Sequence, residues 1–220
     1  MNHLIVHSSE AVTLVGGGPV SALALAQARQ FAPRIVAADG GADRLLRLGQ
    51  VPEAVIGDMD SITKAARAAL AGCLFPIPEQ ASTDFDKALR SIFAPFVLGI
   101  GFSGARLDHG LAVLNALARH PERRCLILGT RDVTFLCPRE LTLVLPPGSR
   151  LSLFPMGPVT GISEGLRWPL QGIDFAPDRM IGTSNEISEP QTRLRFSAAR
   201  MLVILPRAAL AAALRGLGLR

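Results

Sequence analysis

At 220 residues, with 49% hydrophobic and 19% charged residues, the chain is long enough to bury a full core as one large domain or two small ones. The formal net charge of +5 and a sequence pI near 10.0 raise nucleic acid as a partner, but the cations are almost all arginines scattered singly, the longest cluster is Arg123-Arg124, and tyrosine is absent. That pattern argues against a base-stacking platform, so no nucleic-acid partner is expected, and a molecule that attracts anionic small ligands fits the charge equally well.

The cysteines, Cys73, Cys125 and Cys137, show no paired spacing and sit in or beside apolar runs, which reads as buried free thiols in a reducing compartment. His3, His7 and Glu10 interrupt the place where a signal peptide would need a clean apolar stretch, and Pro206-Arg207 break the most apolar part of the C-terminus. The expectation is a cytoplasmic protein with no membrane partner.

In chain order, Ala11 to Val15 reads as a short buried strand, Gly16-Gly17-Gly18 as its turn, and Ser21 to Gln30 as a helix. The three glycines lack the full dinucleotide spacing and serve a tight turn. Arg34 to Ala38 is a second strand running into Asp39-Gly40-Gly41, with a helix over Ala42 to Leu48. Ala54 to Gly57 is a third, followed by Asp58-Met59-Asp60-Ser61 and a helix over Ile62 to Ala71. Leu74 to Ile77 is a fourth, followed by Ser82-Thr83-Asp84-Phe85-Asp86-Lys87 and a helix to about Phe93. Phe96 to Ile100 is a fifth, leading through Gly101 to His109 into a helix ending at Arg119, and Arg124 to Gly129 is a sixth.

Strands alternating with helices imply right-handed crossovers and a mainly parallel, Rossmann-like α/β sandwich over residues 1–138. The character changes near Pro138. From Glu140 onward, short β-rich runs alternate with turn signals (Leu141 to Leu145, Arg150 to Phe154, Arg193 to Phe196, Met201 to Leu205), and helical periodicity returns only in the Ala-Leu tail. Residues 139–220 are therefore expected to form an antiparallel β-sandwich or flattened barrel.

In parallel sheets, ligands bind beyond the carboxyl ends of the strands, and Asp39, Asp58, Asp60, Asp84 and Asp108 all fall just after expected strands. Five carboxylates in one crevice repel one another unless cations are present, and paired aspartate oxygens suit magnesium bound together with substrate phosphates. Each segment also has a plainer reading. Asp60 or Ser61 caps a helix, Ser82-Thr83-Asp84 caps the next with Asp84 and Lys87 pairing on its first turn, and Asp108 opens another. Against the caps stand Asp84 on a metal and Lys87 as a mobile charge on an ATP phosphate. In the Gly101 to His109 loop, Gly101 and Gly104 let the backbone approach a ligand and Arg106 offers a planar fork for phosphate oxygens, with His109 on a phosphate or orienting the loop. Trp168, the sole tryptophan, is either core or a stacking wall for a flat cationic ligand. Ser184-Asn185-Glu186 reads by default as a turn, with side chains able to bond a heteroaromatic edge.

Taken in order, Ala38-Asp39-Gly40-Gly41-Ala42, Ile56-Gly57-Asp58-Met59-Asp60-Ser61, Thr83-Asp84-Phe85-Asp86-Lys87-Ala88-Leu89, Gly101-x-x-Gly104-x-Arg106-x-Asp108-His109 with Asn115, Gly165-Leu166-Arg167-Trp168-x-Leu170 and Ser184-Asn185-Glu186 resemble thiamine pyrophosphokinase, from about residue 11 to 205. The resemblance implies a homodimer that moves the pyrophosphoryl group of ATP to thiamine, giving thiamine diphosphate and AMP. It implies catalytic roles for Asp58, Asp60, Asp84 and Asp108, with Mg²⁺ on Asp58, Asp60 and Asp84. ATP would be held by Asp39, Gly40, Lys87, Gly101, Ser103, Gly104, Arg106, His109 and Asn115, and thiamine by Trp168, Ser184 and Asn185. Three positions depart from the family pattern: Ala81 where an acidic residue is frequent, with Asp86 as the substitute supplier, Ala105 where glycine is usual, and Pro169. The same chemistry on another alcohol, such as a pterin carbinol, and a non-catalytic thiamine or nucleotide sensor are the rival readings.

Overall fold

A computed structural model describes residues 4–104 and 106–219. In chain order the elements are β1 (Val6–His7), β2 (Val12–Val15), α1 (Ala22–Arg29), β3 (Arg34–Ala38), α2 (Gly41–Arg47), β4 (Ala54–Gly57), α3 (Lys64–Ala69), β5 (Leu74–Pro76), α4 (Asp84–Ser91), β6 (Ile92–Phe93), β7 (Val97–Ile100), α5 (Leu107–Arg119) and β8 (Cys125–Leu128). There follow β9 (Asp132–Leu136), β10 (Glu140–Val144), β11 (Arg150–Pro155), β12 (Val159–Glu164), β13 (Asp174–Phe175), β14 (Gly182–Glu186), β15 (Gln191–Phe196), β16 (Met201–Pro206) and α6 (Leu210–Gly216). The chain divides into two compact units, Met1–Ala116 with Glu122–Gly129, and Leu117–Pro121 with Thr130–Arg220.

In the first unit the strands run in the order β8-β7-β2-β3-β4-β5, and every pairing is parallel. Strands β2, β3, β4 and β7 are buried along their length save for Arg34 at the start of β3, as expected for apolar runs covered on both faces. The chain leaves β2 toward β3 on one side and returns to β7 on the other, which puts the topological switch between β2 and β7. At that point the Gly16 N–H donates to Ile100 O at 2.8 Å and the Gly18 N–H to Gly101 O at 2.9 Å. A Cβ on Gly18 would lie 2.5 Å from Gly101 O, so the two turns close only without side chains.

In the second unit the paired strands are antiparallel, in the order β14-β11-β16-β9 and β10-β15-β12-β13. Helix α6 buries Leu210, Ala212, Ala213 and Leu214 and runs against β10.

Several expectations need correction. The helix after Thr83 ends at Ser91, because Ile92 and Phe93 pair in parallel with Val6 and His7. Two-residue strands carry no periodicity, so nothing in sequence announces them. Ser184 to Glu186 is no turn but the end of β14, where the register against β11 shifts between Leu151 and Leu153. Cys125 and Cys137 are buried free thiols, whereas Cys73 is half-buried. No helix among the described residues is long and apolar enough to cross a membrane.

Candidate active site

A cavity of about 470 Å³ opens in the first unit at the carboxyl ends of β2, β3, β4 and β7, where Asp39, Asp58, Asp84, Lys87 and Arg106 share its wall. Its centre is set by backbone geometry. Asp39 follows β3 with φ +38 and Met59 sits between two aspartates with φ +68, both in the left-handed region that side chains rarely enter. Such strain persists only where surrounding contacts over-determine it, and it clusters at functional sites. The contacts are visible here. Arg67 of α3 donates to the Met59 carbonyl, and the Asp60 N–H donates to Asp58 Oδ1 at 3.3 Å. Gly57 makes the crowding possible, since a Cβ there would stand 2.7 Å from Asp39 Cβ and 2.9 Å from Asp84 Oδ1.

Asp39, Asp58 and Asp60 form a carboxylate cluster in which one oxygen from each lies within 4.8 Å of the other two. Asp39 is 1% exposed; its Oδ2 accepts the Ser61 N–H at 2.9 Å, while its Oδ1 is buried with no hydrogen-bond partner among the described residues. Burial, with smaller contributions from neighbouring Asp84 and Asp60, pushes the Asp39 carboxyl up to about 6. An orphaned buried oxygen inside a carboxylate cluster fits a hard divalent cation, which would satisfy that oxygen and relieve the repulsion.

Lys87 is 1% exposed and bridges two of the acids, with Nζ 2.9 Å from Asp58 Oδ2 and 3.3 Å from Asp84 Oδ1. Burial works against its charge, but the two carboxylates more than offset this and hold its pKa above the ordinary lysine value. Its hydrogen bond in turn holds Asp58 below the usual carboxylate range. The Asp84–Lys87 pairing read from their i, i+3 spacing is thus present, and Asp58 as a second partner makes Lys87 a fixed strut rather than the mobile charge of the alternative reading. Thr83 caps α4 as expected, its hydroxyl accepting the Asp86 N–H, and Asp84 also accepts the Asp58 N–H at 3.4 Å. Asp86, the candidate replacement for the acid absent at Ala81, is buried on α4 and is not part of the cavity wall.

Gly40, Gly101 and His109 line the cavity with Arg106. Arg106 is forked onto Asp108, Nε to Oδ1 at 3.1 Å and Nη2 to Oδ2 at 2.5 Å, on the protein surface. That pair lowers the Asp108 pKa. Asp60, Asp108, Ser103, Gly104 and Asn115 do not form part of the cavity wall, although Asp60 reaches it through Asp58 and Asp108 through Arg106. Ala105 lies outside the described residues. Sequence reading missed Asp43, Arg44, Arg47, Thr63 and Phe102. Arg44 and Arg47 carried a usable signal, standing three residues apart right after the glycine pair that follows Asp39.

In the second unit Trp168 is 52% exposed, so it is not core, and the Arg167 guanidinium lies 4.8 Å from its ring centroid. Asn185 is buried and spends its amide on the Trp168 backbone, donating to Trp168 O at 2.7 Å and accepting the Trp168 N–H at 3.2 Å. Its side chain therefore positions the tryptophan backbone. Ser184 has φ +61, and its N–H donates to the buried Ser152 hydroxyl at 3.0 Å, which supplies the acceptor where the β11–β14 register shifts. Ser152 also accepts from Arg150, which pairs with Asp132.

Two sequence models of one family match the chain: the thiamin pyrophosphokinase catalytic domain over residues 25–128 and the thiamin pyrophosphokinase vitamin B1 binding domain over residues 135–203. A thiamine pyrophosphokinase 1 of Oryza sativa subsp. japonica is 26% identical over 194 residues, covering 72% of this chain and 74% of the relative. A thiamin pyrophosphokinase 1 of Caenorhabditis elegans is 25% identical over 195 residues, covering 77% of each. Among solved structures, the thiamin pyrophosphokinase from Candida albicans superposes with a TM-score of 0.75 at 15% identity, over 94% of this chain and 93% of that one, a likeness of fold. A protein from Lactobacillus plantarum does so with a TM-score of 0.74 at 27% identity, over 90% and 98%.

Proposed function

The chain belongs to the thiamin pyrophosphokinase family, and from that premise we propose how its residues divide the work. It is an enzyme, a thiamine diphosphokinase. ATP is the donor in our reading: the thiamine hydroxyl oxygen attacks the β-phosphorus, the bond from that phosphorus to the α–β bridging oxygen breaks, and AMP leaves with that oxygen as the hydroxyl proton passes to an aspartate. The observation that carries this is the cluster of Asp39, Asp58 and Asp60 beside the Asp84–Lys87–Asp58 ion pairs, which lie on the wall of the cavity at the strand ends.

Asp39, Asp58 and Asp60, with Asp39 in place of the Asp84 expected from the family resemblance because it is Asp39 that shares the cluster, would hold magnesium, which when bound neutralises charge on the phosphate oxygens. Lys87 keeps Asp58 ionised and fixes the rotamers of Asp58 and Asp84, so that both acids are oriented before substrate arrives. Trp168 supplies an exposed aromatic face for the cationic thiazolium of thiamine, held in place by Asn185, which Ser184 precedes in β14. A homodimer in the cytoplasm completes the reading, with sedimentation as its check.

AMP release from ATP, measured with and without thiamine and magnesium, tests the reaction. Release should require all three, and Asp58→Asn should lower turnover by about 100-fold or more, typical of losing one preorganised electrostatic group. AMP formation indifferent to thiamine would overturn the assignment.

A further inference from the structure

Four strong cations stand on the cavity wall: Arg44, Arg47, Lys87 and Arg106. Two are already neutralised. Lys87 is paired with Asp58 and Asp84, and Arg106 is forked by Asp108. A phosphate that recruited either would have to compete with a carboxylate already in place. Asp43, the acid nearest to the arginines in sequence, is also engaged, accepting the Thr63 N–H at 3.0 Å and the Thr63 hydroxyl at 2.6 Å.

Arg44 and Arg47 differ from the other two. They stand three residues apart on α2, hence on neighbouring positions of one face, and neither has a carboxylate partner among the described residues. Arg44 is nonetheless aimed, because its Nε donates to the Gly17 carbonyl at 3.0 Å in the turn after β2. That single tether uses one of five guanidinium donors and leaves both terminal nitrogens for a bidentate contact.

We propose that Arg44 and Arg47 form the polyphosphate-binding edge of the cavity, Arg44 as a rigid fork on the phosphate chain and Arg47 as an outer charge that draws it in. The uncompensated positive charge of the pocket resides there, opposite in sign to the carboxylate cluster, so an anion chain enters against α2 while its cation meets the aspartates. The proposal rests on the nucleotide reading above for its physiological ligand, but its chemistry is testable without turnover.

Inorganic tripolyphosphate is the probe, titrated calorimetrically at low salt into wild type, Arg44→Ala, Arg47→Ala, the double variant and Arg44→Lys, with folding verified by circular dichroism. Losing a charge-assisted fork should weaken binding about tenfold or more in Arg44→Ala, with Arg44→Lys intermediate because it keeps charge but not the planar fork. In steady-state assays the KM for ATP should rise with the KM for thiamine unchanged. Equal tripolyphosphate affinity in wild type and the folded double variant, or no binding to wild type, overturns the subsite. A tenfold difference in a wild-type protein that releases no AMP upholds the subsite and removes the reaction assigned above.

Discussion

Asn185 grips the backbone of Trp168 from both directions, its Nδ2 donating to the carbonyl at 2.7 Å and its Oδ1 accepting the N–H at 3.2 Å. The exposed ring therefore stands on a backbone that cannot drift. Asn185→Ala leaves both Trp168 groups without partners, and a lost buried bond of this kind costs about 1–3 kcal/mol. The KM for thiamine should rise while that for ATP holds. Asn185→Asp should be nearly as harmful, since a carboxylate cannot donate to Trp168 O. Parallel changes in both KM values would mean global unfolding instead, and a thermal melt distinguishes the two.

Lys87 holds two acids, so its removal should harm more than its own contacts suggest. Lys87→Met leaves Asp58 and Asp84 facing each other without a cation, a change of about 3–5 kcal/mol for a broken buried pair. Asp58 sits below its ordinary pKa because of Lys87, so that stabilisation is present at neutral pH and is lost as pH falls through the folded-state pKa. The deficit of the variant should accordingly stay large from pH 8 down to about 4 and shrink only below that, where Asp58 takes up its proton. Melting curves across that range check it, and adding Asp58→Asn should recover part of the loss.

For Asp39 the sign is opposite. Its pKa is raised from 3.8 to about 6 by burial, so ionising it in the folded, cation-free protein costs stability, on the order of 3 kcal/mol if the whole shift is expressed. Cation-free protein should thus lose stability as pH rises from about 4 to 6, and Asp39→Asn should flatten that slope. Magnesium affinity should run the other way, growing as pH rises through about 6 and the carboxyl sheds its proton. Titration calorimetry in two buffers of different ionisation enthalpy would read the released proton directly, and a pH-independent affinity would remove Asp39 from the cation site.

Gly57 is a spacing residue for chemistry it takes no part in. A methyl there would lie 2.7 Å from Asp39 Cβ and 2.9 Å from Asp84 Oδ1, so Gly57→Ala must push the acids apart. Overpacking of this sort typically costs about 1–3 kcal/mol, and a shift of about 1 Å in reacting groups can cost about 100-fold in rate. Turnover should fall far more than the melting temperature; an active Gly57→Ala enzyme would show that the acids need not be so close.

Local patterning carried much of the fold. Short apolar runs at Ala11 to Val15, Arg34 to Ala38, Ala54 to Gly57 and Phe96 to Ile100, each followed by glycine or aspartate, announced parallel strands and placed Asp39 and Asp58 at the ends of two of them. Polar or very short strands were silent: β14 exposes Thr183 and Ser184, and β1 with β6 is two residues deep, so neither writes an alternation strong enough to see.

What the sequence determined alone was the order of the elements and the types of residue at the strand ends, because both depend on neighbours a few positions away. Only the tertiary structure decided how those residues pair. Lys87 is locked between Asp58 and Asp84, Asp39 joins the carboxylate cluster with an oxygen left bare, Asn185 turns inward to Trp168, and Arg44 with Arg47 keep free charge. Electrostatic partnership and desolvation depend on distances between segments up to 29 positions apart in the chain, as for Asp58 and Lys87, and no local pattern encodes such distances.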